Sequence, residues 1–230
     1  MKNKVYATFD EAVAGIPNGS TIMFPGFANV GVPRNLIAAL HRQGAKHLIG
    51  ISNNAGALDE KVDVGTLVEA GQMKKMICAF TAATHPSRIT PFVRMYNDDE
   101  IEAELVPQGT LAERMRAAAF GIGGFYTPTS VGTELAEGKE HREIDGRTTV
   151  LEHPLPADYA FIRAWKADTF GNLQFRLTQR NFNPIMAMAA TVTIVEVEDK
   201  IVPVGELNPD AIHLPGIYVD RMVVIKEEEK

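Results

Sequence analysis

Thr21-Ile22-Met23-Phe24-Pro25-Gly26-Phe27-Ala28-Asn29-Val30-Gly31-Val32-Pro33 is the stretch that decides the fold. Its first four residues form an apolar run of strand length, the pattern of a strand covered on both faces. Pro25 and Gly26 stop the strand, and the loop runs on to Gly31 and Pro33. Over residues 33–43, Leu36, Ile37 and Leu40 then recur at helical spacing, with Pro33 suited to the first turn and Gly44 to the stop. A buried strand feeding a helix through a short loop is the opening of a βαβ unit, which implies a parallel sheet.

Outward from this unit, residues 47–51 read as a second strand followed by a polar turn, Ser52-Asn53-Asn54-Ala55-Gly56. A weaker helical stretch lies near residues 64–70 and another strand at 75–80. Ile101-Glu102-Ala103-Glu104-Leu105-Val106 alternates, as a strand nearer an edge does, and Thr110-Leu111-Ala112-Glu113 fits a capping box opening a helix toward Phe120. Gly121-Ile122-Gly123-Gly124 reads as that helix's stop. The second half carries strand signals at 149–151, 159–165, 173–175, 191–197 and 218–225, punctuated by Gly and Pro, and is expected to pack as short strands onto the same sheet. Met186-Ala187-Met188 falls on a helical pattern and reads as core. The expectation is α/β: an open, largely parallel sheet flanked by helices, with a β-rich second half, in a single domain spanning residues 1–230.

Composition narrows the function classes. A formal charge of −6 gives no basic footprint for nucleic acid or anionic lipid. Any phosphate-bearing ligand must therefore be held by local dipoles and individual side chains. With Cys78 alone no intrachain disulfide forms, and its apolar neighbours mark an inert core thiol. Met1-Lys2-Asn3-Lys4-Val5 opens no signal peptide and no apolar stretch reaches membrane-spanning length, so the expected location is the cytoplasm, where the Asn18-Gly19-Ser20 sequon is accidental. The six histidines, His41, His47, His85, His141, His153 and His213, are scattered without metal-ligand spacing, and no Gly-x-Ser-x-Gly elbow occurs. No metal is expected. The charged end at residues 226–230 carries no binding motif.

In an open parallel sheet, ligands lie beyond the carboxyl ends of the strands. Residues 25–33, 52–56 and 107–110 are loops in that position. Gly26 and Gly31 lack Cβ atoms, so the first loop is either a tight turn or a place of close ligand approach, with the amides before the helix free to face an anion. Asn53, Asn54 and Gln108 are neutral amides that either hydrogen-bond their own loops or donate to a developing oxyanion.

Taken in order, these loops resemble those of α subunits of family I CoA-transferases. That family's signature is a Gly or Asn, a short apolar strand, Gly-Gly-Phe, three residues, Gly, one residue and Pro. Here Asn18-Gly19 precedes the strand and residues 25–33 follow it, with Pro25 in place of the first glycine. The resemblance continues through Ser52-Asn53-Asn54-Ala55-Gly56, Pro107-Gln108-Gly109-Thr110, Gly124-Phe125-Tyr126-Thr127-Pro128-Thr129, Ala164-Trp165-Lys166-Ala167-Asp168 and Arg180-Asn181-Phe182-Asn183, and is weakest over residues 81–99. Two stretches, Arg142-Glu143-Ile144-Asp145-Gly146-Arg147 and residues 183–190, look most like those of 3-oxoadipate CoA-transferase α subunits, with acetoacetate enzymes nearly as close.

The resemblance implies a transferase active only with a β subunit, which carries the nucleophilic glutamate in a Ser-Glu-Asn-Gly motif absent from this chain. It implies assembly as α2β2, coenzyme A and acyl-CoA as substrates beside a carboxylate acceptor, and no tightly bound cofactor. By the same resemblance, Asn53 and Gln108 contact the thioester or the acyl carboxylate, and Pro25, Gly26, Phe27, Ala28, Asn29, Val30 and Gly31 form the α-side CoA-binding loop. Glu134 and Glu206 adjoin glycines in motifs unlike the nucleophile's and read as turn or surface carboxylates. One alternative is a CoA-thioester or ring-cleaving hydrolase on the same fold, since water can use the same oxyanion site. A ligand sensor attached to a DNA-binding segment is opposed by the absence of a helix-turn-helix extension and of a basic patch.

Overall fold

The computed structural model describes residues 3–56, 61–82 and 89–226. His85, residues 83–88 of the stretch at 81–99, Met1, Lys2 and the tail beyond Lys226 lie outside them. In chain order the strands are β1 (Thr21–Phe24), β2 (Leu48–Asn54), β3 (Met73–Phe80), β4 (Glu102–Leu105), β5 (Phe125–Thr127), β6 (His141–Ile144), β7 (Arg147–Glu152), β8 (Ala157–Asp168), β9 (Leu173–Gln174), β10 (Ala190–Val202) and β11 (Arg221–Val224). The α-helices are α1 (Phe9–Val13), α2 (Arg34–Gln43), α3 (Val64–Glu69), α4 (Pro91–Asn97), α5 (Gln108–Phe120) and α6 (Asn183–Ala189).

The main sheet runs β11-β10-β8-β1-β2-β3-β4, with β9 antiparallel beside β8 and every other pairing parallel. Successive side chains of a strand point to opposite faces, and both faces are buried here. Ile22 and Phe24 pack with Leu36, Ile37, Leu40, Leu67 and Phe92 of α2 to α4, whereas Met23 packs with Leu111, Met115 and Met186 of α5 and α6. Phe24 lies opposite Ser52, Asn54 opposite Phe80, and Cys78 opposite Leu105. The loops after β1, β2, β3 and β4 therefore all emerge at one carboxyl edge. The chain leaves β1 through α2 on the first face and reaches β10 through α6 on the second. The connections thus part between β1 and β8, the switch point at which open α/β sheets form a crevice.

Three expectations are corrected. β2 runs through Asn54, so Ser52, Asn53 and Asn54 are buried strand residues and not a polar turn. Helix α5 starts at Gln108 behind Pro107, which offers no side-chain cap; Thr110 lies inside the helix and is buried, so the capping box does not form. The second half does not consist only of short strands on one sheet. β8 and β10 span 12 and 13 residues, and β5, β7 and β6 form a separate antiparallel sheet. Residues 216–218 are a 3-10 turn, leaving Arg221–Val224 as the last strand. Among the described residues no helix is long and apolar enough to cross a membrane.

An ion network ties the small sheet to the edge of the large one. Arg114 of α5 donates to Glu104 (2.9 Å) and to the His153 carbonyl (3.0 Å), and lies 3.9 Å from Glu152 of β7. Lys75 reaches Glu104 at 2.7 Å, and Lys139 reaches Glu152 at 2.5 Å. Burial pushes the Glu104 carboxyl up, but Lys75 and Arg114 outweigh it and leave it below its ordinary 4.5. The stability this carboxylate contributes is complete above pH 4.5 and is lost as pH falls through the lowered value. Arg114→Met strands the buried Glu152 and should lower the unfolding free energy by about 3 kcal/mol at pH 7. Denaturant titration should show that difference shrinking below pH 4.5; a pH-independent difference would contradict the network.

Candidate functional site

The loop between β1 and α2 folds back on itself. Phe27 N donates to Val30 O (3.1 Å) and Val30 N to Phe27 O (3.2 Å), so the tip is a tight hairpin. Gly26 (φ +134°), Ala28 (+51°) and Gly31 (+79°) all occupy the left-handed half of backbone space. A Cβ on Gly26 would stand 2.7 Å from Val32 Cγ2, and one on Gly31 would stand 2.8 Å from Asn183 Nδ2. Both glycines are thus required by conformation and by space. Pro25, Gly26 and Gly31 are buried, while Ala28 and Asn29 are exposed, as are Phe27 (52%) and Val30 (45%). The loop has a fixed base and an apolar, accessible tip.

The helix behind the loop does not offer its first amides to a ligand. Asn35 N (2.9 Å) and Leu36 N (3.2 Å) donate to Oε2 of Glu196, a fully buried residue of β10, which corrects the expected anion site. Arg163 of β8 donates to Oε1 of Glu196 (3.1 Å) and to Glu198 (2.7 Å). Burial raises the Glu196 carboxyl to about 7, against the lowering by Arg163 and the two amides.

Asn53 and Gln108 come from strands separated by β3, and the structure brings them together. Gln108 Nε2 donates to Asn53 Oδ1 at 2.7 Å. Asn53 is buried at the carboxyl end of β2, and Gln108 is exposed on the first residue of α5. The bond occupies the Asn53 oxygen and one Gln108 N–H. Asn53 Nδ2 and the second Gln108 N–H have no acceptor among the described residues. Two uncharged donors at a sheet edge can polarise a carbonyl without a titrating group. Asn54 has the other role open to it: its Oδ1 accepts from Gly56 N (3.0 Å), closing its own turn.

A cleft of about 590 Å³ opens at the switch point beside the loop, lined by Asn29 to Val32, Arg34, Arg163, Arg176 and Glu198 among others. Its cations are engaged: Arg163 holds two carboxylates, and Arg34 Nη1 donates to Val62 O (2.6 Å). The cleft wall is completed by the turn Leu177–Arg180 and by Asn181 and Asn183, which reach the loop's carbonyls. Residue chemistry alone does not single out Asn181, Asn183, Arg163 or Glu196, because their partners are remote in sequence. The one signal for them is the Arg180-Asn181-Phe182-Asn183 resemblance.

The remaining candidates are structural. Burial raises the Cys78 thiol to about 11, keeping it protonated. His213 accepts from Phe175 N (2.9 Å), and burial followed by the Arg180 charge lowers its pKa. Glu134 begins a 3-10 turn between β5 and β6, and Glu206 sits in the turn after β10; both are exposed. Among the described residues no group of three His, Cys, Asp or Glu could hold a metal.

Glu196 also makes stability depend on pH. Its folded pKa of about 7 exceeds the ordinary 4.5, so the folded chain keeps the proton longer than the unfolded one, and stability declines as pH rises from 4.5 to about 7. Glu196→Gln mimics the protonated acid and should abolish that decline, leaving the protein as stable as the parent near pH 5 and more stable near pH 8. Thermal melts across this range check it, and parallel curves for the two proteins would refute it.

Comparison with known proteins places this geometry. Residues 6–225 match the family model for coenzyme A transferase. The α subunit of a probable succinyl-CoA:3-ketoacid coenzyme A transferase of Bacillus subtilis (strain 168) is 50% identical over 227 residues, 99% of this chain and 92% of the relative. The corresponding subunit of 3-oxoadipate CoA-transferase of Pseudomonas putida is 50% identical over 225 residues, 98% of this chain and 95% of the relative. Among solved structures, a variant of the decarboxylase AibA/AibB superposes with a TM-score of 0.81 at 26% identity, covering 99% of this chain and 86% of that one. The fold alone thus serves more than one reaction, and close sequence similarity selects among them. With a family match over nearly its whole length and half its residues shared with such relatives, the chain belongs to the coenzyme A transferase family.

Proposed function

We propose that this chain is the α subunit of a two-chain 3-oxoacid CoA-transferase, and that residues 1–230 act as a single domain completed by a β subunit. The observation that carries the reading is the Asn53–Gln108 pair, two neutral amides with unused donors at the sheet's carboxyl edge, in a chain half identical to transferase α subunits. The substrates are an acyl-CoA such as succinyl-CoA and a 3-oxo acid, 3-oxoadipate or acetoacetate. The enzyme works in the cytoplasm beside these soluble compounds.

The chemistry is covalent and ping-pong. A glutamate carboxylate of the β subunit, in a Ser-Glu-Asn-Gly motif, attacks the thioester carbonyl and expels CoA thiolate, forming an acyl-glutamyl anhydride. The thiolate attacks the glutamyl carbonyl and releases the acyl carboxylate, leaving a glutamyl-CoA thioester. The acceptor carboxylate then repeats the two steps in reverse order. Each addition puts negative charge on a carbonyl oxygen, to which Asn53 and Gln108 donate. Residues 25–31 receive CoA, with the exposed Phe27 and Val30 at the tip. Phe80 and Leu105 are exposed at the ends of β3 and β4, so the β subunit has an apolar edge to cover, and we expect an α2β2 assembly.

Gln108→Ala should lower turnover about ten- to a thousandfold, the range for one lost oxyanion donor, with the complex still assembled. Steady-state rates with several acyl-CoA donors check this, and a wild-type rate would remove Gln108 from the site. The whole reading is tested by reconstitution. This chain alone should fold yet transfer no CoA, and titration with the β subunit should restore acyl-CoA formation that saturates near equal stoichiometry. Full transfer by this chain alone would overturn the two-chain model, and thiol release without an acceptor carboxylate would favour the hydrolase.

A further inference from the structure

We infer that Asn183 and Asn181 are positioning residues for the loop of residues 25–31, holding its Val30–Gly31 end in the conformation that, on the reading above, receives CoA. The inference starts from strain. Three positions of that loop are left-handed, one of them Ala28, and such a path persists only where its surroundings over-determine it. Within the loop the recorded backbone pairing is that of Phe27 with Val30. The remaining restraint comes from the segment before α6.

Asn183 is 0% exposed, and its carboxamide joins three parts of the chain. Nδ2 donates to Gly31 O (3.1 Å) and Gln179 O (2.8 Å), while Oδ1 accepts from Arg163 N (2.7 Å) on β8. Asn181 works one residue earlier in the loop: Nδ2 donates to Val30 O (2.9 Å) and Thr178 O (2.8 Å), and Oδ1 accepts from Phe182 N (2.6 Å). Both roles need two donors and an acceptor in one planar group. An aspartate would set acceptors against the loop's carbonyls, and an aliphatic residue would leave them unpaired. The fit is close as well as polar, because a Cβ on Gly31 would lie 2.8 Å from Asn183 Nδ2 and 3.1 Å from Asn181 Nδ2. The end of the loop and the start of α2 are therefore referred to the same strand. Gly31 is tied through Asn183 to the Arg163 backbone, and α2 through Glu196 to the Arg163 guanidinium.

The test uses this chain assembled with its β subunit, with succinyl-CoA and acetoacetate as substrates. Asn181→Asp keeps the acceptor for Phe182 N and loses both donors, and Asn181→Ala serves as a second variant should the first fail to fold. The KM for succinyl-CoA should rise about fivefold or more, as expected for one lost hydrogen bond, while kcat and the KM for acetoacetate stay within about twofold. Deuterium exchange of residues 25–33 should quicken by a similar factor, with α5 and β2 unchanged. Unaltered exchange in the loop, or equal losses toward both substrates, would overturn the inference. Gly26→Leu separates this from the assignment of the loop itself. If it leaves CoA affinity intact, the CoA-binding reading fails while exchange still reports on the clamp; if it weakens CoA and Asn181→Asp does not, the clamp fails alone.

Discussion

β1 is covered on both sides, by helices that bury Ile22 and Phe24 on one face and Met23 on the other, and this burial governs what the protein can do with polar groups. Its backbone is committed to its neighbours β2 and β8, and its side chains are committed to the core. Chemistry can begin only where the strand ends. The same holds for β2, whose polar residues are confined to its last three positions, and for β4, which ends just before Gln108. Parallel pairing puts these ends on one edge, so residues remote in sequence, such as Asn53 and Gln108, become hydrogen-bond partners without any local contact.

The switch point between β1 and β8 raises a second problem, because two charged residues cross the sheet where the covering elements change face. Arg163 and Glu196 satisfy each other only in part. The carboxylate is completed by two amides of α2, and the guanidinium by Glu198. A buried pair of this kind adds little net stability relative to apolar packing, but it fixes geometry, since each partner stranded alone would be costly. Here the fixed geometry is the exit of the β1 loop.

The architecture was legible where local pattern and burial agree. The apolar run at Thr21, the Leu36-Ile37-Leu40 spacing and the alternation ending at Leu105 appear as β1, α2 and an edge strand, and Gly121 ends α5. The reading of residues 52–54 as a turn failed because polar residues are ordinarily turn formers; here pairing with β3 keeps them extended. The Thr110 capping box failed because Pro107 already starts the helix one turn earlier. Residues 141–144 were invisible as a strand because all four side chains are exposed and carry no period-2 burial signal. Of the site, Asn53 and Gln108 could be nominated by type and position, but not their contact. Glu196 could not be nominated at all. It reads as an ordinary polar residue of an alternating strand, and the amides it caps lie about 160 residues away.

The two borders of the main sheet are unequal in a way that bears on how the molecule avoids self-polymerisation. At β11 the amino-terminal segment lies alongside the outer strand, with Met222 N bonded to Lys4 O and Tyr6 N to Met222 O, so that border is occupied. β4 is the other border, only four residues long, and its Glu102 and Glu104 are paired with Lys74 and Lys75 of β3. A short outer strand carrying charge is a poor template for another copy's backbone. Sheet-to-sheet growth into fibres is blocked at one border by a plug and at the other by charge, which leaves recognition between chains to side chains and therefore selective.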